Sequence, residues 1–395
     1  MFKAEGGDRR LNRLVVIPSD PIAAYEAKGI SARLETYYNP KKWFGDVFAL
    51  SPLERGTRRA YGMTIIESSY RDLPIHLKRL QPGVVRAYGG FWPSDFACLG
   101  RIPSLPVLVS VHDTNPDLLH PSISYADLVL CVSKTVADKV IEGGTSPDRI
   151  RILPNRVDPS VFHPVANADQ LDSVARQFPP GKPILHVGRK THQKNLDTLI
   201  RAIKFLPPEY FAVFVGAGDN SKFVELAREI GVASRCFWRE SVPNSELPIW
   251  YSWAACVCTP SRWEGFGVVF LEAAACGAAI ITSDIAPMNE YLEKDVSACL
   301  VSEYENSRTI AGAILKVCTD ELYRQTIQRG AVQAAKSFEK SAVDSAEIGI
   351  YEEALKLKPR TITQMERFRL RASLFAHRAT TRARDFKNKL ERVLA

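Results

Sequence analysis

The chain has 395 residues and a formal net charge of +8. That length accommodates two or three domains. The opening stretch MFKAEGGDRRLNR has no apolar core of the secretory-signal kind, and no run of about 18 apolar residues exists to span a bilayer as a helix.

The charge is confined to one end. Residues 356–395 hold twelve Lys or Arg against three acids, leaving 40 basic and 41 acidic residues elsewhere. A near-neutral body therefore carries a basic tail, and the two need separate explanations. The eight cysteines (Cys98, Cys131, Cys236, Cys256, Cys258, Cys276, Cys299 and Cys318) stand singly in apolar contexts, with no Cys-x-x-Cys pair and no His/Cys spacing of a zinc site. They read as small buried hydrophobes of a reducing compartment, so the expected location is cytoplasmic.

In chain order, LVVIP (14–18), GVVRAY (83–88), PVLVSVH (106–112) and DLVLCVS (127–133) read as buried strands. Helix-like stretches such as PIAAYEAKG (21–29) and SKTVADKVIEGG (133–144) intervene. The same rhythm returns in PILHVG (183–188), YFAVFVGAG (210–218), ACVCTP (255–260) and AAIITS (278–283), with helix-like NLDTLIRAIKFL and KFVELAREIG between them. Continuous apolar strands alternating with amphipathic segments give an α/β class with parallel sheets covered on both faces. The polar, proline-containing stretch 166–182 reads as a linker. The expected division is an N-terminal domain over 1–165, a second domain over 183–345 and a helical tail over 346–395. The two domains are expected to face a cleft.

Two constellations carry chemistry. HVGRKTHQKN (186–195) follows a strand and precedes a helix, with Gly188 at a turn and the cations Arg189 and Lys194 in the loop. Cations beside a helix N-terminus suit a diphosphate, although a solvated basic loop has the same appearance. The stretch RWEGFGVVFLEAAACG places Glu264 before the turn Gly265-Phe266-Gly267, and Glu272 near the start of the next helix. A glycine turn lets backbone approach a ligand, and carboxylates there can accept hydrogen bonds from sugar hydroxyls. Taken singly, each glutamate fits a surface or helix-start role equally well.

Together, in order and at these intervals, the two constellations resemble the retaining glycosyltransferases of family 4, which have the GT-B fold. Glu264 and Glu272 match that family's two-glutamate signature, and Val187-Gly188-Arg189 with Lys194 matches its basic loop. Gly216-Ala217-Gly218 and SDIAPMNEYL (283–292) match as well, over roughly residues 80–355. The resemblance implies two Rossmann-like, doubly wound parallel-sheet domains. A nucleoside-diphosphate sugar would lie against the second, its sugar moving to an acceptor hydroxyl with retention of configuration. By the same analogy Arg189 and Lys194 hold the diphosphate, Glu272 takes the ribose, and Glu264 with Gly265–Gly267 meets the donor sugar. His112, in VSVHD, is either a structural histidine or, by the same analogy, one that reaches donor sugar or phosphate.

No metal or other cofactor is expected, because two cations stand at the phosphate position and the sequence has no Asp-x-Asp triplet. Two features depart from the pattern. Arg156 replaces the glycine of the family's Pro-Asn-Gly-Val-Asp turn. Ser19-Asp20-Pro21 stands where relatives have a double glycine after the first strand, while Gly89-Gly90 follows a later one. Arg86 reads either as an anion contact or as a strand charge paired with an acid.

Alternative readings on the same fold are a sugar phosphorylase, a nucleotide-sugar epimerase, or an inactive glycan-binding partner subunit. The expected partners are the donor and a glycan, lipid-linked or small-molecule acceptor, with no nucleic acid.

In the tail, Met365, Phe368, Ala372, Phe375 and Ala379 recur at helical intervals, and Phe386, Leu390 and Val393 form a second stripe among many basic residues. Two readings fit: a helix packed on the body, or one docked peripherally on the cytoplasmic face of an anionic membrane.

Overall fold

A computed structural model describes residues 12–394, with side chains through Arg382. The chain forms two compact units. The first runs to Leu153 and resumes at Asp344, and the second is Pro154–Val343.

The first unit is built on eight strands: β1 (Arg13–Ile17), β2 (Asp46–Ser51), β3 (Thr57–Ala60), β4 (Met63–Glu67), β5 (Val84–Tyr88), β6 (Val107–Val111), β7 (Leu128–Cys131) and β8 (Ile150–Ile152). Their order is β3-β4-β2-β1-β5-β6-β7-β8, parallel except for β3 against β4. The second unit has six strands: β9 (Lys182–Val187), β10 (Tyr210–Val215), β11 (Cys236–Arg239), β12 (Cys256–Thr259), β13 (Ile280–Ser283) and β14 (Cys299–Val301). All are parallel, in the order β11-β10-β9-β12-β13-β14. These are the two Rossmann-like sheets of the GT-B class.

The central strands are apolar along their whole length because both faces are covered. Every residue of β5, β6, β10 and β12 is buried. In the second unit Ile184, Phe214, Cys258 and Ile281 pack with Leu199 and Ile203 of the helix Leu196–Ile203. All eight cysteines are free thiols, and seven are buried.

The sequence reading leaves residues 46–67 without a strand, yet three lie there. β3 is an edge strand with the polar sequence Thr-Arg-Arg-Ala and no buried residue, so no apolar run announces it. The stretch 166–182, read as a linker, carries the helix Ala168–Ala175 and falls within the second unit.

The helix Lys340–Lys356 is followed by a second one, Gln364–Leu394, and from Asp344 onward the chain belongs to the first unit. The last helix packs through a different face from the one its apolar residues suggest. Leu370 and Leu374 are buried, and the helix contacts the segment Pro121–Tyr125. Met365, Phe368, Ala372, Phe375 and Ala379 are exposed. Phe386, Leu390 and Val393 lie outside the described side chains. Among the described residues, no helix is long and apolar enough to cross a membrane.

Candidate functional site

In the second unit β9 lies between β10 and β12. The chain moves outward from β9 to β10 and β11, then returns to the other side of β9 with β12. The carboxyl ends of β9 and β12 therefore flank the switch point of this sheet, the place where open parallel sheets receive ligands. Both constellations read from the sequence sit there: Gly188 to Lys194 follows β9, and Glu264 to Gly267 follows β12.

The two loops are laced together. Arg262 donates its backbone N–H to the Gln193 carbonyl at 2.8 Å, and the Gln193 amide donates to the Trp263 carbonyl at 2.9 Å. Asn195 donates to the Pro260 and Tyr304 carbonyls at 2.9 and 3.0 Å. The Arg262 guanidinium forks onto the Asp197 carboxylate at 2.9 and 3.1 Å, a two-point grip that fixes orientation.

Inside this lacing Lys194 Nζ meets Glu264 Oε1 at 2.5 Å, with both residues buried. The Ser261 hydroxyl donates to the same oxygen at 2.7 Å. Lys194, the cation expected at the diphosphate, is therefore half of a preformed ion pair, and the first signature glutamate is its partner. Arg189 is exposed one residue past the Gly188 turn.

Glycine is required at two turns. Gly216 has φ +142°, and a Cβ there would stand 2.1 Å from the Gly188 carbonyl oxygen. The Gly-x-Gly turn after β10 thus lets the loop after β9 pass against it. Gly267 caps the helix Val268–Ala275 in the left-handed region at φ +85°. The Phe266 ring is buried and stacked on Tyr291 at 4.9 Å, while the Tyr291 hydroxyl donates to the Phe266 and Gly267 carbonyls at 3.1 and 3.0 Å. The Phe266 ring is therefore committed to packing.

Glu272 is the fifth residue of its helix and not part of the first turn, which places it beyond the strongest reach of the helix dipole. Its carboxylate accepts from the Tyr251 hydroxyl at 3.2 Å. Burial and that neighbouring carboxylate push the Tyr251 phenol well above its ordinary value, so it stays protonated as the donor.

Sequence reasoning passed over Lys190. This lysine is buried at the base of the loop, where its ammonium donates to the Gly216 carbonyl and, at 2.9 Å, to that of Arg239. Burial lowers its pKa. It ties three strand ends together. Its only sequence signal is a second cation beside Arg189.

His112 belongs to the first unit, immediately after β6. That unit has its own switch point, since β1 lies between β2 and β5. A cavity of about 350 Å³ opens there, lined by Ser19, Asp20, Tyr37, Tyr88, His112 and Asp113 among others. Burial and the nearby Arg86 guanidinium lower the His112 pKa to about 4, so the ring is neutral near pH 7. Arg86 is spoken for: it is buried, ion-paired with buried Glu347, and bonded to the Tyr351 hydroxyl at 2.8 Å. Of the two sequence readings for Arg86, the paired strand charge is the observed one. Among the described residues, no group of three or more His, Cys, Asp or Glu side chains is placed to hold a metal.

Models of two known families match these units. Residues 15–161 match "Glycosyltransferase Family 4", and residues 171–333 match "Glycosyl transferases group 1". This chain is a group 1, family 4-like glycosyltransferase.

Among curated relatives, this transferase is 27% identical over 341 residues to a D-inositol 3-phosphate glycosyltransferase of Acidothermus cellulolyticus, covering 74% of this chain and 75% of that protein. It is 30% identical over 195 residues to the alpha-maltose-1-phosphate synthase of Mycolicibacterium smegmatis, covering 46% and 49%. Among solved structures, sucrose-phosphate synthase from Thermosynechococcus elongatus superposes with TM-score 0.72 at 17% identity, over 87% of this chain and 98% of that one. Anabaena Alr3699/HepE in complex with UDP-glucose also superposes at 0.72, with 14% identity over 86% and 99%. At such identities the superpositions establish the GT-B fold.

Proposed function

We propose that this glycosyltransferase moves a sugar from a nucleoside-diphosphate sugar to an acceptor hydroxyl with retention of configuration and without a resident metal. The observation that carries the reading is the laced pair of loops at the β9/β12 switch point, with Lys194 and Glu264 preset between them. The diphosphate would lie against Arg189 and Lys194. Glu272 would leave Tyr251 in part to accept from ribose hydroxyls, and Glu264 with the Gly265–Gly267 backbone would meet the donor sugar. Neutral His112 would offer a hydrogen bond within the first unit's own cavity.

In this reading the bond from the anomeric carbon to the diphosphate oxygen breaks and the acceptor oxygen bonds on the same face. The acceptor proton passes to the departing phosphate. The leaving group accumulates negative charge, which cations held before the reaction stabilise without reorganising. Those cations and the missing Asp-x-Asp triplet support metal independence.

The cavity in the first unit favours an uncharged, hydroxyl-rich acceptor. Its walls offer tyrosine faces, hydroxyls and the carboxylates Asp20 and Asp113, and among the described residues lining it there is no lysine or arginine. A phosphorylated acceptor, of the kind the Acidothermus relative is named for, would meet two carboxylates there and no cation.

A thermal-shift series with UDP, GDP, ADP and their sugars tests the donor reading. Ligand at a hundred times its Kd should stabilise the protein by about 2.7 kcal/mol. UDP is the first choice, because the Anabaena neighbour was solved with UDP-glucose. No shift with any nucleotide sinks the proposal, as does activity lost to EDTA and restored by Mg²⁺. Proton NMR of the product anomer decides retention.

A further inference from the structure

The helix Gln364–Leu394 has two unlike sides. Its inner side is fastened to the first unit. Leu370 and Leu374 are buried, and Arg367 donates to the Leu99 carbonyl and, at 3.0 Å, to that of Arg101. The Thr381 hydroxyl donates to Asp117 at 3.1 Å, and Arg378 reaches buried Asp95 at 3.3 Å.

The outer side carries Met365, Phe368 and Phe375, which are 61%, 68% and 77% exposed. Exposed Ala372 and Ala379 complete the row at three- and four-residue steps, so all five share one side of the helix. Exposed Arg369, Arg371 and Arg382 flank that row. The acid in this stretch, Glu366, is held by Arg360 and Thr363 at the helix start. Two large aromatic side chains and a methionine in open water, bordered by arginines, form a patch that a soluble surface does not need.

We propose that this outer side docks on an anionic lipid bilayer, with Phe368 and Phe375 entering the headgroup boundary and the flanking arginines resting on lipid phosphates. Charge complementarity selects this occupant. An apolar row edged by arginines on a helix lying flat is the pattern of interfacial binding, with apolar burial and attraction to anionic lipid acting together. A second copy of the chain would set the same arginines against each other. The inner contacts hold the helix on the body, so docking would bring the first unit, with its acceptor-side cavity, to the membrane. The inference stands independently of the donor reading.

The test is co-sedimentation of the full chain with phosphatidylcholine vesicles, with and without phosphatidylglycerol, at low and high salt. Binding to anionic vesicles that fades with salt is expected. F368S/F375S should weaken it at least about tenfold through lost apolar burial. R369Q/R371Q/R382Q should weaken it about a hundredfold, each arginine near an anionic surface contributing about a factor of five. All five side chains are exposed, so melting temperatures should match the parent. If a variant proves unstable, hydrogen exchange on the unmodified chain replaces it, and residues 364–382 should gain protection on anionic vesicles. Absence of vesicle binding overturns the proposal. So does binding that the variants leave unchanged, and so does concentration-dependent dimerisation, lost in F368S/F375S, without lipid binding.

Discussion

Lys194 and Glu264 show how a site residue can look free in a sequence and be committed in the fold. Two buried opposite charges at 2.5 Å are stable only as a pair. Lys194→Met should therefore destabilise the protein by about 3–5 kcal/mol, because it leaves a buried carboxylate uncompensated. Lys194→Met/Glu264→Gln should recover much of that loss while activity stays low. Urea unfolding of the two single variants and the double variant measures the coupling, and simple additivity would mean the pair is energetically absent.

Histidines give a pH signature at the same scale. Burial lowers His112 to about 4 and His186 to about 3. Unfolded histidines titrate near 6.5, so between there and the folded values the unfolded chain binds more protons. The contribution to stability is complete above pH 6.5 and falls as pH drops toward 4. His112→Gln should flatten the dependence of the urea midpoint on pH across this window; an unchanged slope would contradict the buried neutral ring.

At the scale of single elements, a pair of capping residues sets where the last helix begins. The helix Gln364–Leu394 begins with a reciprocal cap. The Glu366 N–H donates to the Thr363 hydroxyl at 3.2 Å, and the Glu366 carboxylate accepts from the Thr363 N–H at 2.8 Å. Thr-x-x-Glu is legible in the sequence as a helix start. These bonds and Arg360 hold the Glu366 carboxyl down to about 2. The cap is intact above the ordinary glutamate range and is lost as pH falls toward 2. Thr363→Ala should cost about 1 kcal/mol of local helix stability, seen as faster amide exchange in the first turn.

In the whole molecule, the return of the chain to the first unit is fixed by a buried charge. Arg86 on β5 and Glu347 are 261 residues apart in sequence and ion-paired in the core. Glu347→Gln should destabilise the first unit by about 3–5 kcal/mol, whereas Glu353→Gln, whose partner Arg151 is partly exposed, should cost about 0–1 kcal/mol. Hydrogen exchange should show β5 and β6 deprotected and β9 and β12 unaffected. Equal deprotection of both units would deny that Arg86 anchors only its own.

The sequence by itself determined the strands that are buried on both faces, because LVVI, VLVSV, AVFV and CVCT leave no polar side to expose. It also determined the two loops of the donor-side constellation, since glycines, cations and carboxylates recur there at fixed intervals. What it left open depends on partners distant along the chain. The edge strand Thr57–Ala60 has no apolar run to reveal it and exists through pairing with β4. The Lys194–Glu264 and Arg86–Glu347 pairs join positions that no local pattern connects. The tail shows the limit most directly: periodicity selects Met365, Phe368 and Phe375 as the packing row, but the body receives Leu370 and Leu374. Helical periodicity says which residues share a side, and only the surface opposite decides which side is buried.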